Sequence, residues 1–283
     1  MSGMLYSLFP KWFQSCDPER LAEIAADCGL DAVDLIVRDG YWVTPERIAS
    51  EAPAFVRAMH NRKLKVEFAT TGFSPEMLAA DDTPLRVMAD LGVKSFRMAY
   101  FSYTEREDLF AQLDRARAQM HRMAELCRKF RIKAVYQIHH GDKMLVHHSL
   151  AALHIVRDLP DEYVGIMPDP GNQFHEGLDN WRRAILTLGK YTAAIGVKDA
   201  AIRFEPEGRE QPHKGWKKVW APCHEGVTNW HVIARALNEI RFRGVLNFQP
   251  FYHTDRLDLL ISTLRQEVAY IRKTMNETEG ASD

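Results

Sequence analysis

Short runs of apolar and β-branched residues alternate with longer amphipathic stretches along the chain. The short runs fall at 5–9, 32–37, 65–69, 94–99, 133–138, 164–168, 193–198 and 245–249. Each is followed by apolar positions at helical spacing, so eight β-then-α units are predicted. The clearest helix covers 105–130, with Leu109, Leu113, Ala116, Met120, Met123, Ala124 and Cys127 on one face. A last helix over 257–275 repeats Leu257, Leu260, Leu264, Val268 and Ile271 and is expected to close the ring against the first strand. These Leu and Met stripes read as core.

The punctuation agrees with this rhythm. Asp17-Pro18-Glu19, Thr44-Pro45-Glu46, Ser74-Pro75-Glu76 and Thr83-Pro84 each set a capping oxygen before a proline suited to the first helical position. Gly29, Gly92 and Gly244 precede strands and are expected to take the left-handed position after a helix. Two stretches are longer than ordinary connections: 38–43, with Tyr41 and Trp42, and 200–222, with Trp216, Trp220 and several lysines. Both are read as loops at the active face of a barrel, with Trp12, Trp42, Trp216 and Trp220 as stacking platforms or lid packing. The eight-unit count points to an α/β fold, a single-domain (β/α)8 TIM barrel over 1–276 followed by a polar tail over 277–283. An open doubly wound sheet would carry a glycine fingerprint after its first strand. The chain has Ser7-Leu8-Phe9-Pro10-Lys11-Trp12 there and no GxGxxG or GxxxxGK[ST], so no nucleotide cofactor is expected.

Composition narrows the function. Lys and Arg number 37 against 38 Asp and Glu, a formal charge of -1 over 283 residues. No basic excess is available to neutralise phosphates, which argues against nucleic acid and anionic membrane as partners. No apolar run nears the roughly 18 residues of a membrane span. The first residues show neither a charged nor an apolar leader region, and the expectation is a cytoplasmic protein. Cys16, Cys28, Cys127 and Cys223 are scattered with no CxxC pair, against a disulfide framework or a zinc ribbon.

In a barrel, alternate strand residues point inward and those at the C-terminal end face the ligand. That rule selects Gln137 and His139 on the fifth strand, Asp169 on the sixth, Lys198 on the seventh and Gln249 on the eighth. It adds Arg97 on the fourth, facing either a substrate oxygen or an internal carboxylate such as Glu67. His139 titrates nearest neutrality and is the leading acid or base. Asp169 serves as an orienting carboxylate or only as a turn anchor. Lys198 serves as a stabilising cation with a lowered pKa, or as half of an exposed pair with Asp199. Asn172, His224, Arg97 and Trp12 join Gln137 and Gln249 as substrate-binding candidates, although His224 also suits a plain helix cap. His140, His147 and His148 are assigned to loop or cap positions.

The segments Gln137-Ile138-His139, Asp169-Pro170-Gly171-Asn172, Gly196-Val197-Lys198-Asp199, His224-Glu225-Gly226-Val227-Thr228-Asn229-Trp230 and Asn247-Phe248-Gln249, in this order, resemble the xylose-isomerase-like superfamily of sugar isomerases and epimerases. The resemblance covers almost the whole length. It implies a small carbohydrate or polyol substrate, proton abstraction beside a carbonyl, and a homodimer or homotetramer. It also implies a divalent metal (Mn, Zn, Co or Mg) held by Glu, Asp, His and Glu. The matching positions here are Gln137, Asp169, Gly196 and Gln249, so two carboxylates have become carboxamides and the imidazole is gone. A metal would rest on Asp169, Gln137 and Gln249 with His139 or His224 as a rescuing nitrogen ligand. A carboxamide does not titrate, so Gln137 and Gln249 cannot act as acid or base. Three functions stay open at this point: an isomerase or epimerase with an atypical metal site, a sugar-binding regulatory barrel without catalysis, and a metal-independent lyase.

Overall fold

The computed structural model describes residues 3–177, 179–252 and 254–279. Its first half comprises β1 (Leu5–Leu8), α1 (Pro18–Asp27), β2 (Ala32–Val33), β3 (Leu35–Ile36), α2 (Ile48–Asn61), β4 (Phe68–Thr70), α3 (Pro75–Ala80), α4 (Thr83–Asp90), β5 (Ser95–Arg97) and α5 (Leu109–Phe130). Then come β6 (Lys133–Gln137), α6 (Ser149–Val156), β7 (Val164–Met167), α7 (Pro170–Glu176), α8 (Trp181–Leu188) and β8 (Ala194–Val197). The chain ends with β9 (Asp199–Phe204), β10 (Trp216–Ala221), α9 (Trp230–Glu239), β11 (Val245–Phe248) and α10 (Leu257–Glu279).

The parallel pairs run β2-β1-β11-β8 and β3-β4-β5-β6-β7. Two seams join these arcs. Ala193 N donates to Ile166 O at 2.9 Å and Gly196 N to Pro168 O at 2.8 Å, and Val33 N donates to Lys65 O at 3.0 Å. β2 and β3 are one barrel strand broken at Asp34, so eight strands close the ring with helices outside, a single (β/α)8 domain. Strand pleating sorts the side chains. Leu5, Ala32, Phe68, Val135, Met167, Ala194 and Val245 form one apolar layer inside the ring. Two residues further along the same strands come Ser7, Asp34, Thr70, Gln137, Asp169, Gly196 and Asn247. Outward residues such as Tyr6, Leu8 and Phe96 join the larger core beneath the helices.

The predicted strands all exist, shortened at their ends, and the third lies at 68–70 rather than 65–69. Capping follows the sequence for α1 and α3, where Asp17 accepts from Arg20 N at 2.7 Å and Ser74 from Met77 N at 3.3 Å. Thr44 departs from the expectation: its N–H and hydroxyl both donate to the Glu51 carboxylate, and a single 3₁₀ turn precedes α2. Thr83 is already inside α4, behind Asp82. The helix expected from 105 begins at Leu109, where Asp108 accepts from Ala111 N at 2.8 Å. α10 continues through Glu279, past the expected start of a tail at 277; residues 280–283 lie outside the described residues.

Gly29 and Gly92 have the expected positive φ, at 78° and 84°. Gly244 does not, and Arg241 takes that conformation after α9 at φ 54°. Gly244 is needed for a different reason: a Cβ there would overlap Ala193 O and approach the Phe242 ring to 2.6 Å. The long loop expected at 200–222 is also corrected. It is an antiparallel hairpin, β9 with β10, pairing Phe204 with Trp216 and Asp199 with Ala221. Its strands are mostly exposed, so no buried face wrote an apolar alternation into the sequence. No described helix is long and apolar enough to cross a membrane.

Gly244→Ala is expected to lower unfolding stability by about 1–3 kcal/mol through overpacking at the seam of β1, β8 and β11. Urea unfolding checks this, and an unchanged midpoint would contradict the close approach.

Candidate functional site

The polar layer converges at the C-terminal end of the barrel. Gln137, at the end of β6, donates from Nε2 to Asp169 Oδ2 at 2.7 Å and faces Gln249 Oε1 at 3.4 Å. Its Oε1 accepts from the Tyr100 hydroxyl at 2.8 Å. Gln249 donates to Asn247 Oδ1 at 2.8 Å, and Asn247 in turn donates to Asp34 Oδ2 at 2.5 Å. Ser7 and Thr70 hydroxyls complete the ring around Asp34 at 2.6 and 3.2 Å. Full burial pushes the Asp34 pKa up to about 7 against these donors.

Behind this ring lies an ion pair. Lys198 Nζ stands 3.1 Å from Asp169 Oδ2, with side-chain exposures of 2% and 0%. The ammonium also donates to Asn172 Oδ1 at 2.8 Å and faces the Phe251 and Trp220 rings at 4.4 and 4.9 Å. Burial pulls its pKa down, opposed by the Asp169 charge. The expected alternative of an exposed Lys198–Asp199 pair does not form. Asp199 accepts instead from Thr228 Oγ1 at 2.7 Å and Trp230 Nε1 at 2.9 Å, tying β9 to the start of α9.

A cavity of about 260 Å³ opens over the ring, lined by Phe9, Lys11, Arg38, Thr70, Arg97, Tyr100, Gln137, His139, Met167, Asn247, Gln249 and Phe251. His139 Nδ1 lies 2.9 Å from the His140 carbonyl oxygen. A carbonyl only accepts, so Nδ1 carries the proton and the neutral ring keeps its lone pair on Nε2. Burial holds the His139 pKa at about 4, so the imidazole is in its base form at neutral pH. Arg97 is clamped by the Met98 and Thr71 carbonyls and lies over the Tyr100 ring, which leaves its buried Nε without a hydrogen-bond partner. A larger depression of about 430 Å³ at the opposite end holds the Lys94–Glu67 pair and none of the strand-end groups. Chemistry in such barrels belongs to the C-terminal face.

Of the residues chosen from the sequence, His139, Gln137, Gln249 and Arg97 line the cavity, while Asp169 and Lys198 stand behind its wall. Asn172 is not available to grip hydroxyls: its amide is bonded to Lys198, to His140 Nδ1 at 2.9 Å and to Ile138 O at 3.0 Å. Nor does His224 reach the cluster, since it lies 3.8 Å from Glu225 and 6.3 Å from the Tyr270 ring. Trp12 packs edge-on against Phe251 at the rim, and Trp42 donates to Cys16 O within the core. Arg97 does not pair with Glu67, which lies at the other end with Lys65 and Lys94. Tyr100, Lys11 and Arg38 were missed. Lys11 and Arg38 are the first charged residues after the first two strands, so the strand-end rule applied there would have found them. His140 keeps its expected loop position after β6, and its ring lies with those of His175 and Trp220 beside the ion pair, at centroid distances of 5.2 Å to His175 and 5.5 Å to Trp220.

Residues 22–274 match the xylose isomerase-like TIM barrel family. The chain belongs to that family. Among solved structures, D-psicose 3-epimerase from Clostridium cellulolyticum H10, determined with D-tagatose, superposes with a TM-score of 0.74 at 15% identity, covering 96% of this chain and 99% of its own. The 3-keto-D-glucoside 4-epimerase YcjR of E. coli gives 0.70 at 14%, covering 95% and 99%. A xylose isomerase-like barrel protein from Mycobacterium smegmatis in complex with magnesium gives 0.67 at 13%, covering 97% and 99%. At such identities the likeness is one of fold. A search of curated proteins returns no match.

The donor set does not fit the divalent ion the family implies. Asp169 is the one carboxylate of the expected four ligands, and its Oδ2 already receives Lys198 and Gln137, its Oδ1 the Asn172 N–H at 2.9 Å. Gln137 presents N–H, not oxygen, to the point where the three groups meet. A Cβ at Gly196, where the resemblance implies an imidazole, would lie 2.6 Å from Asp169 Oδ2. No group of three or more His, Cys, Asp or Glu is gathered for a metal among the described residues.

Lys198→Met is expected to destabilise the fold by about 3–5 kcal/mol by leaving a buried carboxylate unpaired. Adding Asp169→Asn to that variant should recover part of the loss, and a purely additive double mutant in urea unfolding would contradict the pairing. For His139, the unfolded chain binds a proton near pH 6.5 that the folded ring refuses until about 4. Its contribution therefore favours the native state at high pH and fades as pH falls between those values. Asp34 acts oppositely, holding a proton up to about 7 where the unfolded carboxyl ionises near 3.8. An NMR titration of His139 should show a midpoint near 4, and Asp34→Asn should flatten the loss of stability as pH rises towards 7; a His139 midpoint near 6.5 would contradict its burial.

Proposed function

We propose that this barrel is an isomerase or epimerase acting on a small sugar-like carbonyl compound by proton transfer at the carbon beside the carbonyl, without a bound divalent ion. The observation that carries the reading is the His139 Nε2 lone pair, held in the base form on the wall of a cavity otherwise floored by carboxamides. In this reading Gln249, Asn247 and Thr70 bond the hydroxyls of the ligand. His139 removes the proton, the electron pair forms a carbon–carbon double bond, and the carbonyl oxygen becomes an enolate oxygen. Arg97 and Lys11 stabilise that charge, the work a cation must do for such an intermediate. Transfer of the hydroxyl proton on the deprotonated carbon to the enolate oxygen, and return of the abstracted proton from the imidazolium to the former carbonyl carbon, complete an aldose–ketose shift. Epimerisation needs a second donor on the opposite face, and Lys11, whose pKa burial pulls down, is the candidate. Asp169 and Lys198 are positioning residues that hold Gln137 and Asn172. The epimerases among the structural neighbours support the class of chemistry only as relatives in fold.

A binding-only barrel is the second reading, favoured by the non-titrating Gln137 and Gln249. Solvent deuterium incorporation into candidate sugars separates the two. The enzyme reading expects exchange that persists with EDTA and falls by about 10²–10⁴-fold in His139→Gln. No exchange in the wild-type protein with any sugar that binds favours the binding-only barrel.

A further inference from the structure

We infer that the ligand of the barrel mouth carries a negative charge, a carboxylate or phosphate on a small polyhydroxy compound. The inference rests on the reading that this cavity is the substrate site. Three cations line the cavity, Lys11, Arg38 and Arg97, and among the described residues no aspartate or glutamate does. The carboxylates closest in the structure are already accounted for. Asp169 faces Lys198, and Asp34 is enclosed by the Ser7, Thr70 and Asn247 donors beneath the cavity floor.

None of the three cations forms an ion pair among the described residues, although the Arg97 charge acts on Asp34 beneath the floor. Lys11 lies over the Trp12 and Phe251 rings at 4.5 and 4.9 Å and forms no ion pair among the described residues. Arg38 is fixed by its own backbone, which donates to Val43 O at 3.0 Å, and its half-buried guanidinium also has no ion pair there. Arg97 is 4% exposed, and its Nε–H is the one guanidinium position that neither carbonyl clamp occupies. Ammonium and guanidinium groups only donate hydrogen bonds. A neutral sugar hydroxyl can accept from one of them and pass its own proton to Thr70 or a carboxamide oxygen, but it brings no charge to offset the three cations. A carboxylate or phosphate is an acceptor on every oxygen, matches the planar fork of an arginine and removes the repulsion among the three charges. A cleft lined by a single sign also concentrates ligands of the opposite sign. The volume, about 260 Å³, lies just below the range of roughly 300–1,000 Å³ typical for drug-sized ligands, which suits a small metabolite.

The test follows the Arg97 Nε–H resonance in the intact protein during titration with inorganic phosphate, glycolate and neutral ethylene glycol. Saturable binding of phosphate or glycolate is expected at least about tenfold tighter than ethylene glycol, with affinity falling as salt is added. The tighter of the two anions identifies the charged group. Lys11→Met and Arg38→Met, both at half-buried loop positions that the fold tolerates, should each weaken the anion several-fold and leave ethylene glycol unchanged. Ethylene glycol binding as tightly as both anions would overturn the inference. So would anion binding untouched by both substitutions, which would place the anion elsewhere, as on the lysines of the opposite barrel end. Anion binding at this site without deuterium exchange into any sugar retires the proposed chemistry and leaves the charge assignment standing; exchange into a neutral sugar with no anion preference does the reverse.

Discussion

A lysine ammonium and an aspartate carboxylate, 3.1 Å apart and shut away from water, set the terms for everything around them. Two desolvated charges are tolerable only when their remaining hydrogen-bonding capacity is met and the charges cancel. Here Asp169 also receives Gln137 and the Asn172 backbone, and Lys198 also meets Asn172 and two aromatic faces. The pair needs room, which Gly196 gives by having no Cβ to press on the carboxylate. One ammonium balances one carboxylate, and the side chains at 137 and 249 join the cluster as uncharged carboxamides. Carboxamides keep the size of glutamate side chains without the charge. The positions 137, 196 and 249, where the resemblance implies other residues, all lie in the cluster around this pair.

The pair also organises the mouth mechanically. Gln137, Gln249, Asn247 and Asp34 form a continuous hydrogen-bonded chain from β6 across β11 to the break in the second barrel strand. Such a network holds each amide in one orientation, because every donor has a named acceptor. On the outer side the Trp220 and Phe251 rings face the lysine, and His175 from α7 packs against Trp220. The cavity is therefore separated from the ion pair by a polar wall, and the charges that reach a ligand are those of Lys11, Arg38 and Arg97. His139 stands between these two environments, its Nδ1 tied to the backbone of the covered side and its ring on the cavity side.

Much of this was legible without coordinates. Apolar runs at βα spacing, proline-marked helix starts and the strand-end motifs gave the barrel and brought Gln137, His139, Asp169, Lys198 and Gln249 to its C-terminal end, because pleating makes the direction of a strand side chain a matter of counting. Local hydrogen bonding likewise made Asp17 and Ser74 readable as caps. The hairpin at 199–221 was not legible, since its strands present both faces to solvent and leave no apolar alternation. Asn172 and His224 matched motif positions, yet one bonds within the wall and the other faces α10; a motif fixes where the backbone goes and not what a side chain finds there.

The amino-acid order by itself determined the fold class, the ring of strand ends and the non-titrating carboxamides at 137 and 249, all of which depend on periodicity and residue chemistry along the chain. Only the tertiary structure decided that Lys198 pairs with Asp169 instead of Asp199, that Gln137 presents N–H where a cation would need oxygen, and that three cations share one cavity with no carboxylate among its described lining residues. Those outcomes turn on distances of a few ångströms between residues far apart in sequence, and neither periodicity nor composition records such distances.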